Sequence, residues 1–225
     1  MRRAICLGAM AMLAMHPAPA RAEPTDRTLF YVGLGLAVPT YLVGVTLHEG
    51  SHALMGKLVG AKIDEVHLFP PGTDPRVNKF RFGWVYAHGL YTKTQKQLFL
   101  IAPKITDAVL LGGYAALAFT DAWPDGRYGR LALTVFATGL WVDFAKDVIL
   151  FSPTNDVVKV FRNWCMTGWR QVPARAVYAA AVVGFGYVVW HGYTRTFTTL
   201  ADDSATRRGH AGDPVVSLPV FSSPF

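Results

Sequence analysis

The sequence predicts an all-α integral membrane protein: a four-helix transmembrane bundle after a cleaved signal peptide, with a small β-hairpin-like cytosolic loop. Two observations predict this fold class. Of the 225 residues, 52% are hydrophobic and only 16% are charged, against about 25% charged residues in an ordinary soluble domain. The hydrophobic residues are also concentrated in four long segments that polar stretches separate. Together these features argue against a soluble globular enzyme and against a disordered chain.

The first 22 residues have the organisation of a secretory signal peptide. Arg2 and Arg3 form a basic start, and residues 4–15 form an apolar run of 12 residues, shorter than the roughly 20 residues needed to span a bilayer. Small residues follow, so we expect cleavage after Ala20 or Ala22. An uncleaved short anchor is the alternative interpretation. Cleavage leaves Cys165 as the only cysteine, which excludes an internal disulfide in the mature chain.

Four apolar segments follow, at about residues 28–57, 98–120, 131–152 and 174–191. Each comes near or exceeds the roughly 20 residues that a membrane-spanning helix needs. Pro39 lies inside the first segment, where a membrane helix tolerates it as a kink. We therefore expect residues 23–195 to form one transmembrane domain. Residues 196–225 are rich in Ser, Thr, Asp and Pro, and they are expected to form a loosely ordered exported tail.

The positions of Lys and Arg predict the orientation in the membrane. The loop between the first two segments carries seven basic residues and the loop between the last two carries three, whereas the middle loop holds two. Because basic loops stay in the cytosol, the mature amino terminus should lie on the exported side, as the signal peptide also predicts. We expect a multi-pass protein of the bacterial inner (cytoplasmic) membrane. In so apolar a chain, the net charge of +7 indicates cytosolic loops rather than nucleic-acid binding.

A possible metal-binding motif ends the first segment, where His48-Glu49-Gly50-Ser51-His52 matches His-Glu-x-x-His. Positions i and i+4 of a helix share a face, so both imidazoles can reach one metal ion. Glu49 lies beside them, where it can take a proton from a water on that ion. Ionisable residues inside a membrane segment are unfavourable and usually functional. The alternative interpretation is a polar cap at the cytosolic end of the helix.

A catalytic zinc site needs a third protein ligand in addition to a water. The first and third segments run parallel, so their carboxyl ends meet on the same side of the membrane, and Asp156 lies just past the third segment. Asp156 is therefore the predicted third ligand, although Ser152-Pro153-Thr154-Asn155-Asp156 also fits a plain turn with Asp156 as a helix N-cap. Asn155 is expected to hydrogen-bond a substrate backbone or to orient the site.

Two other carboxylates, Asp143 and Asp147, compete for the ligand role. Asp143 precedes Asp156 by 13 residues, about 20 Å along a helix if the helix continued, so the two are not expected at the same level. Lys104 and Asp107 lie at a similar depth on the antiparallel second segment. We expect a buried Lys104–Asp147 ion pair, with Asp143 facing the bundle interior and Asp147 as the fallback ligand.

The motif and its spacing resemble the site-2 protease family of intramembrane zinc metallopeptidases. In that family a helix ending in His-Glu-x-x-His is followed two helices later by an Asn/Pro/Asp motif, and the resemblance covers about residues 28–160. It implies a three-helix core and cleavage of a peptide bond in a membrane-protein substrate, with a zinc site toward the cytosol. The implied zinc ligands are His48, His52 and Asp156. Glu49 would act as the general base and then as the proton donor.

Two departures from the family pattern leave other functions open. Ser51 stands where the family commonly has Gly before the second His, and Val157 stands where it commonly has Gly after the Asp. One alternative is a catalytically silent membrane protein that binds metal or a partner. The other is a membrane metallohydrolase that acts on a lipid or another non-peptide substrate.

The cytosolic loop carries an alternating aromatic pattern at Phe80, Phe82, Trp84 and Tyr86, which predicts a strand. Residues 66–69 are its possible partner. An edge strand near the metal can hold an unwound substrate by β-addition, and Phe82 and Trp84 are the expected substrate-contact residues. The alternative is an aromatic hairpin at the membrane interface with no substrate role.

Overall fold

The computed structural model describes residues 23–149 and 155–197. The predicted signal peptide and nearly all of the predicted exported tail lie outside these ranges. The described chain is mostly helical, and a short 3₁₀ turn at Gly168–Gln171 precedes the last helix. Its helices are α1 (Asp26–Leu58), α2 (Lys93–Ala118), α3 (Arg127–Ile149), α4 (Asp156–Asn163) and α5 (Val172–Phe197).

Within the described ranges, three helical stretches are long and apolar enough to cross a membrane. They are Asp26–Leu58, Lys93–Ala118 and Gly168–Phe197. The helix α3 has 23 residues, but its last two turns carry Asp143, Lys146 and Asp147, which lower its hydropathy. The chain is therefore a membrane protein by its helices, and a fourth span at α3 stays a prediction.

The start of α2 shows why hydropathy alone predicts a helix start that is too far inward. The helix begins at Lys93 rather than near residue 98, because Thr92 and Gln95 form a capping box. The Gln95 amide donates to Thr92 Oγ1 at 3.1 Å, and the Thr92 amide donates to Gln95 Oε1 at 2.9 Å. Polar and basic residues of this first turn belong to the helix although they lie beyond the apolar segment.

The helices pack around α2 and α3. The helix α1 contacts both of them, and α5 packs on α3. Within the most apolar window of α2, 33% of residues are buried, compared with 6% in the windows of α1 and of the stretch containing α5. The helices α1 and α5 thus present apolar surface outward, as expected of helices in contact with lipid. The buried core joins Leu111 and Tyr114 of α2 to Leu140 and Phe144 of α3 and Val189 of α5.

Four short strands connect α1 to α2: β1 (Lys62–His67), β2 (Gly72–Asp74), β3 (Lys79–Arg81) and β4 (Trp84–His88). The outer strands β1 and β4 pair antiparallel, and so do β2 and β3. The predicted partner strand at residues 66–69 is confirmed only at its first two residues, since Val66 lies opposite Val85 and His67 opposite Trp84, whereas β1 covers Lys62–His67. The predicted aromatic strand is interrupted at residues 82 and 83, because its two halves pair with different partners.

Candidate metal centre

His48 and His52 lie on successive turns of α1, and both face the carboxylate at the start of α4. The Nε2 atom of His52 is 3.2 Å from Asp156 Oδ2, and that of His48 is 3.7 Å from the same oxygen. The three potential ligand atoms all lie within 4.8 Å of one another. The three residues that the sequence selected as metal ligands are thus brought together.

The donor set and its spacing fit a zinc ion. Two imidazole nitrogens and a carboxylate oxygen are common zinc donors, and tetrahedral bonds of about 2.0–2.2 Å separate neighbouring donors by roughly 3.3 Å. The two histidine–aspartate separations, 3.2 and 3.7 Å, lie close to that value, and all three donor atoms lie within 4.8 Å of one another. Three protein donors leave one of four positions open, which is typical of catalytic rather than structural zinc sites.

A hydrogen-bond acceptor holds the other ring nitrogen of each histidine. His48 Nδ1 is 2.9 Å from Asp143 Oδ2, and His52 Nδ1 is 2.7 Å from the carbonyl oxygen of Phe99. Because a carboxylate and a carbonyl only accept, each Nδ1 carries a proton, and each Nε2 would be the donor atom to a metal ion bound beside Asp156. Ligand histidines in metal sites are oriented in this way.

The free carbonyl of Phe99 has a local cause that sequence analysis missed. In a regular helix this oxygen would accept a bond from the amide four residues later, and that residue is Pro103, which has no N–H. The carbonyl is therefore available to His52, and the Phe99 ring also stacks on the imidazole at a centroid distance of 4.8 Å. A proline inside an apolar segment was the signal that could have indicated this acceptor.

The prediction that Asp143 and Asp156 lie at different levels is wrong. It assumed a continuous helix, whereas α3 is described to Ile149 and a new helix, α4, begins at Asp156. Asp143 contacts Nδ1 of His48 and Asp156 lies 3.7 Å from Nε2 of the same ring, so both carboxylates lie at the level of this imidazole.

The predicted Lys104–Asp147 ion pair is present, with Nζ and Oδ2 3.4 Å apart. Lys104 also lies closer to Asp143, at 2.6 Å from Oδ2. Asp147 is not part of the group of three potential ligands. Among the described carboxylates, Asp156 therefore has the position of the third ligand, while Asp143 contacts the far nitrogen of His48.

Asn155, and not Asp156, is the N-cap of α4. Its Oδ1 accepts from the Val157 amide at 3.0 Å, and its Nδ2 donates to Asp147 Oδ1 at 2.6 Å. Both ends of the amide are used inside the protein, which favours the predicted orienting role over a substrate contact.

The Asp156 carboxyl is influenced by opposing effects. Burial raises its pKa, but hydrogen bonds to the histidines and the charges of His52 and Lys159 outweigh burial, so this pKa lies well below its usual value.

Glu49 lies at the polar end of a long apolar cleft of about 900 Å³. The cleft is lined by α1, by α3, by two residues of α5 and by residues 80–83. Along α1 it runs from Leu29 to Glu49, about 30 Å at 1.5 Å per residue, which matches the roughly 30 Å hydrocarbon core of a bilayer. The ionisable groups at its end are those of His48, Glu49, Asp143 and Lys146, with Arg81 on the loop.

The loop between β3 and β4 packs directly onto Glu49. A Cβ atom added at Gly83 would lie 2.8 Å from Glu49 Cγ and 3.0 Å from the carbonyl oxygen of His67, so only glycine fits there without displacement. Phe82 is exposed, lines the cleft and contacts Tyr41 edge-on at a centroid distance of 5.6 Å. The predicted substrate contact at Phe82 therefore has access to the cleft.

Trp84 does not line the cleft, contrary to the expectation for a substrate-contact residue. Its side chain is buried at 6% exposure, stacks on His67 at 3.8 Å and donates its indole N–H to Glu65 at 2.9 Å. The alternating pattern predicted one continuous strand with both rings on one face. The break at residues 82 and 83 instead turns Phe82 to the cleft and Trp84 into the sheet.

Ser51 uses its hydroxyl to join α1 to α2. Its Oγ donates to the Leu47 carbonyl at 2.6 Å and lies 2.8 Å from Thr106 Oγ1. Ser51, which stands where the site-2 protease family commonly has Gly, thus links two helices and leaves both histidines in place.

Comparisons with protein-family models, with curated proteins and with solved structures found no match to this chain. The resemblance to site-2 proteases therefore stays a prediction that depends on the motif and its spacing.

Proposed function

We propose that this protein is an intramembrane zinc metalloendopeptidase that cleaves a membrane-protein substrate within or near the bilayer. The observation that carries the proposal is the convergence of His48, His52 and Asp156 next to the polar end of a cleft as long as the hydrocarbon core. A metal site at that end of an apolar cleft suits a substrate that arrives through the lipid. The bacterial inner membrane is the proposed location.

The chain supplies three ligands and one general base. Zinc held in this way provides an activated water at neutral pH and polarises a carbonyl group. Glu49 follows the first ligand and reaches the cleft, where its carboxylate can accept a proton and return it to the leaving amine. Gly83 packs against Glu49 Cγ and so restricts where that carboxylate can lie.

The cleft and the adjoining strands also fit the proposed substrate. Its apolar length accommodates a transmembrane segment, and residues 80–83 meet that segment at the end where the ionisable groups lie. Within the described chain, β4 hydrogen-bonds to β1 alone and β3 to β2 alone, which leaves strand edges for an unwound peptide. Phe82 is the proposed side-chain contact.

The test compares Glu49→Gln with wild type, and Glu23→Gln serves as a control at the opposite end of α1. Wild type and both variants are purified in detergent for zinc analysis and expressed in cells for comparison of membrane proteins and lipids. We expect all three to bind about one zinc per chain, and only Glu49→Gln to accumulate an uncleaved membrane protein. Zinc binding with no accumulated protein would favour a silent metal-binding protein, and a changed lipid would favour a lipid metallohydrolase.

A photo-crosslinker in the cleft identifies the substrate directly. Leu34 lines the cleft, whereas Val183 of α5 is exposed elsewhere and provides a matched apolar control. In the Glu49→Gln background, a crosslinker at Leu34 should capture the protein that accumulates, and one at Val183 should not. Equal capture at both positions would contradict the cleft as the substrate site.

A further inference from the structure

Lys104 is a buried cation at the centre of the polar groups behind the metal centre. It lies on α2 with 3% exposure. Its ammonium donates to the backbone carbonyl and to Oδ2 of Asp143, both at 2.6 Å. Carboxylate oxygens of Asp147 and Asp107 lie 3.4 and 3.5 Å away. A buried charge is stable only when it is paired, so these three carboxylates fix where the ammonium lies.

One side of this network reaches the first histidine. Asp143 Oδ2 lies 2.6 Å from Lys104 Nζ and 2.9 Å from His48 Nδ1. The same oxygen thus accepts from both groups, and the lysine holds the carboxylate against the imidazole. Lys146 contacts the other oxygen of Asp143, but it is largely exposed and therefore less restrained than Lys104.

The other side of the network reaches the aspartate ligand. Asp147, which pairs with Lys104, accepts from Asn155 Nδ2 at 2.6 Å. Asn155 in turn caps α4 at the Val157 amide, and Asp156 is the residue between them. The start of α4, and with it the position of the Asp156 carboxylate, is therefore tied to the same ammonium group.

We propose that Lys104 is a positioning residue of the metal centre, which fixes His48 through Asp143 and Asp156 through Asp147 and Asn155. His52 is held separately, by the Phe99 carbonyl. Lys104 thus orients two of the three ligands without contacting the metal. The inference rests on the metal site of the proposed function but not on peptide cleavage, since metal affinity is measured without a substrate.

The test measures zinc affinity in detergent by competition with a chromophoric chelator. Lys104→Met keeps an apolar stem of similar length. Arg127→Met is the matched control, because among the described residues Arg127 is the second buried Lys or Arg, and it lies at the far end of α3. Loss of an outer partner of a metal ligand typically weakens metal binding by about 10–100-fold, and we expect that change for Lys104→Met. Arg127→Met should stay within about twofold of wild type, because distant sites are independent.

A spectroscopic measurement separates positioning from a general loss of stability. At saturating Co²⁺, Lys104→Met should show altered ligand-field bands, because the two tethered ligands no longer hold the same geometry. Arg127→Met should give the wild-type spectrum even if it melts at a lower temperature. Wild-type zinc affinity and a wild-type cobalt spectrum in Lys104→Met would overturn the inference.

A double variant distinguishes position from charge balance and also serves if Lys104→Met does not fold. Lys104→Met combined with Asp107→Asn removes one positive and one negative charge while leaving Asp143 and Asp147 in place. Weak zinc binding in the double variant supports positioning, and restored affinity overturns it. Wild-type protein that binds zinc but cleaves nothing contradicts only the proposed function, whereas wild-type protein that binds no zinc contradicts both.

Discussion

In the part of the chain that the structure describes, each end of the helix bundle buries one Lys or Arg side chain, and the two have different partners. Arg127 at the amino-terminal end of α3 pairs with Asp26 and donates to the carbonyls of Pro24 and Thr196 at 2.6 and 3.3 Å. Lys104 at the other end lies among three carboxylates. The arginine contacts tie together the ends of α1, α3 and α5, and one acidic partner matches its charge. The contacts of Arg127 therefore stabilise the packing of the three helices at that end.

The lysine end gathers carboxylates beside the histidines instead. Lys104 contacts Asp107, Asp143 and Asp147, and the same oxygen of Asp143 also contacts His48. The carboxylates around this ammonium therefore extend to an imidazole, whereas the contacts of Arg127 end at backbone carbonyls and one acidic side chain. The comparison teaches that burial of charge alone does not indicate function, whereas carboxylates that converge on histidines do.

The largest effect should come from the ligand itself. Asp156→Ala removes a donor, so we expect zinc affinity to fall by more than the roughly 10–100-fold typical of outer-partner changes. Asp147→Ala should mainly lower the stability of the bundle, with a smaller loss of affinity through Asn155. Zinc titration and thermal unfolding of both variants make the comparison. Equal zinc affinity in wild type and Asp156→Ala would contradict the ligand assignment.

The sequence was sufficient to bring the two histidines of the candidate metal site together, because their arrangement depends on one helix. Four residues of spacing place His48 and His52 on one face of α1 wherever that helix lies. Asp156 was reached by the same kind of argument, since parallel first and third segments must bring their carboxyl ends together. These predictions used local periodicity and the direction of the chain.

The remaining features depended on packing that periodicity does not encode. Asp143 and Asp156 share one level because α4 begins beside His48 instead of continuing along the line of α3. Phe82 faces the cleft while Trp84 is buried in the sheet, because β3 and β4 pair with different strands. The Phe99 carbonyl is an acceptor for His52 only because α2 packs on α1 at that turn. In each case the missing information was the position of one element relative to another.

A substitution at the Arg127 end of the bundle should lower stability and leave zinc affinity unchanged, unlike a substitution at the metal centre. Arg127→Met leaves half-buried Asp26 without its cation and the Pro24 and Thr196 carbonyls without their donor, which should lower stability by about 1–3 kcal/mol. Arg127 is 16 residues from Asp143 on α3, about 24 Å along the helix, so zinc affinity should not change. Unfolding by denaturing detergent measures the first quantity and chelator competition the second. A parallel loss of zinc affinity would show that the two ends are coupled.

The smallest effect should come from a proline at the metal end. Pro103→Ala restores an amide that competes with His52 for the Phe99 carbonyl, and a hydrogen bond contributes about 1 kcal/mol, so zinc affinity should fall roughly fivefold. Pro39→Ala is the matched control, because it also restores an amide inside a helix but its carbonyl partner, Gly35, lies far from the site. Chelator competition measures the zinc affinity of both variants, and only Pro103→Ala should be weaker than wild type. Equal zinc affinity in the two variants would mean that the Phe99 carbonyl of Pro103→Ala accepts from the restored amide and from His52 at once. The proline would then free this oxygen without being needed to orient the histidine.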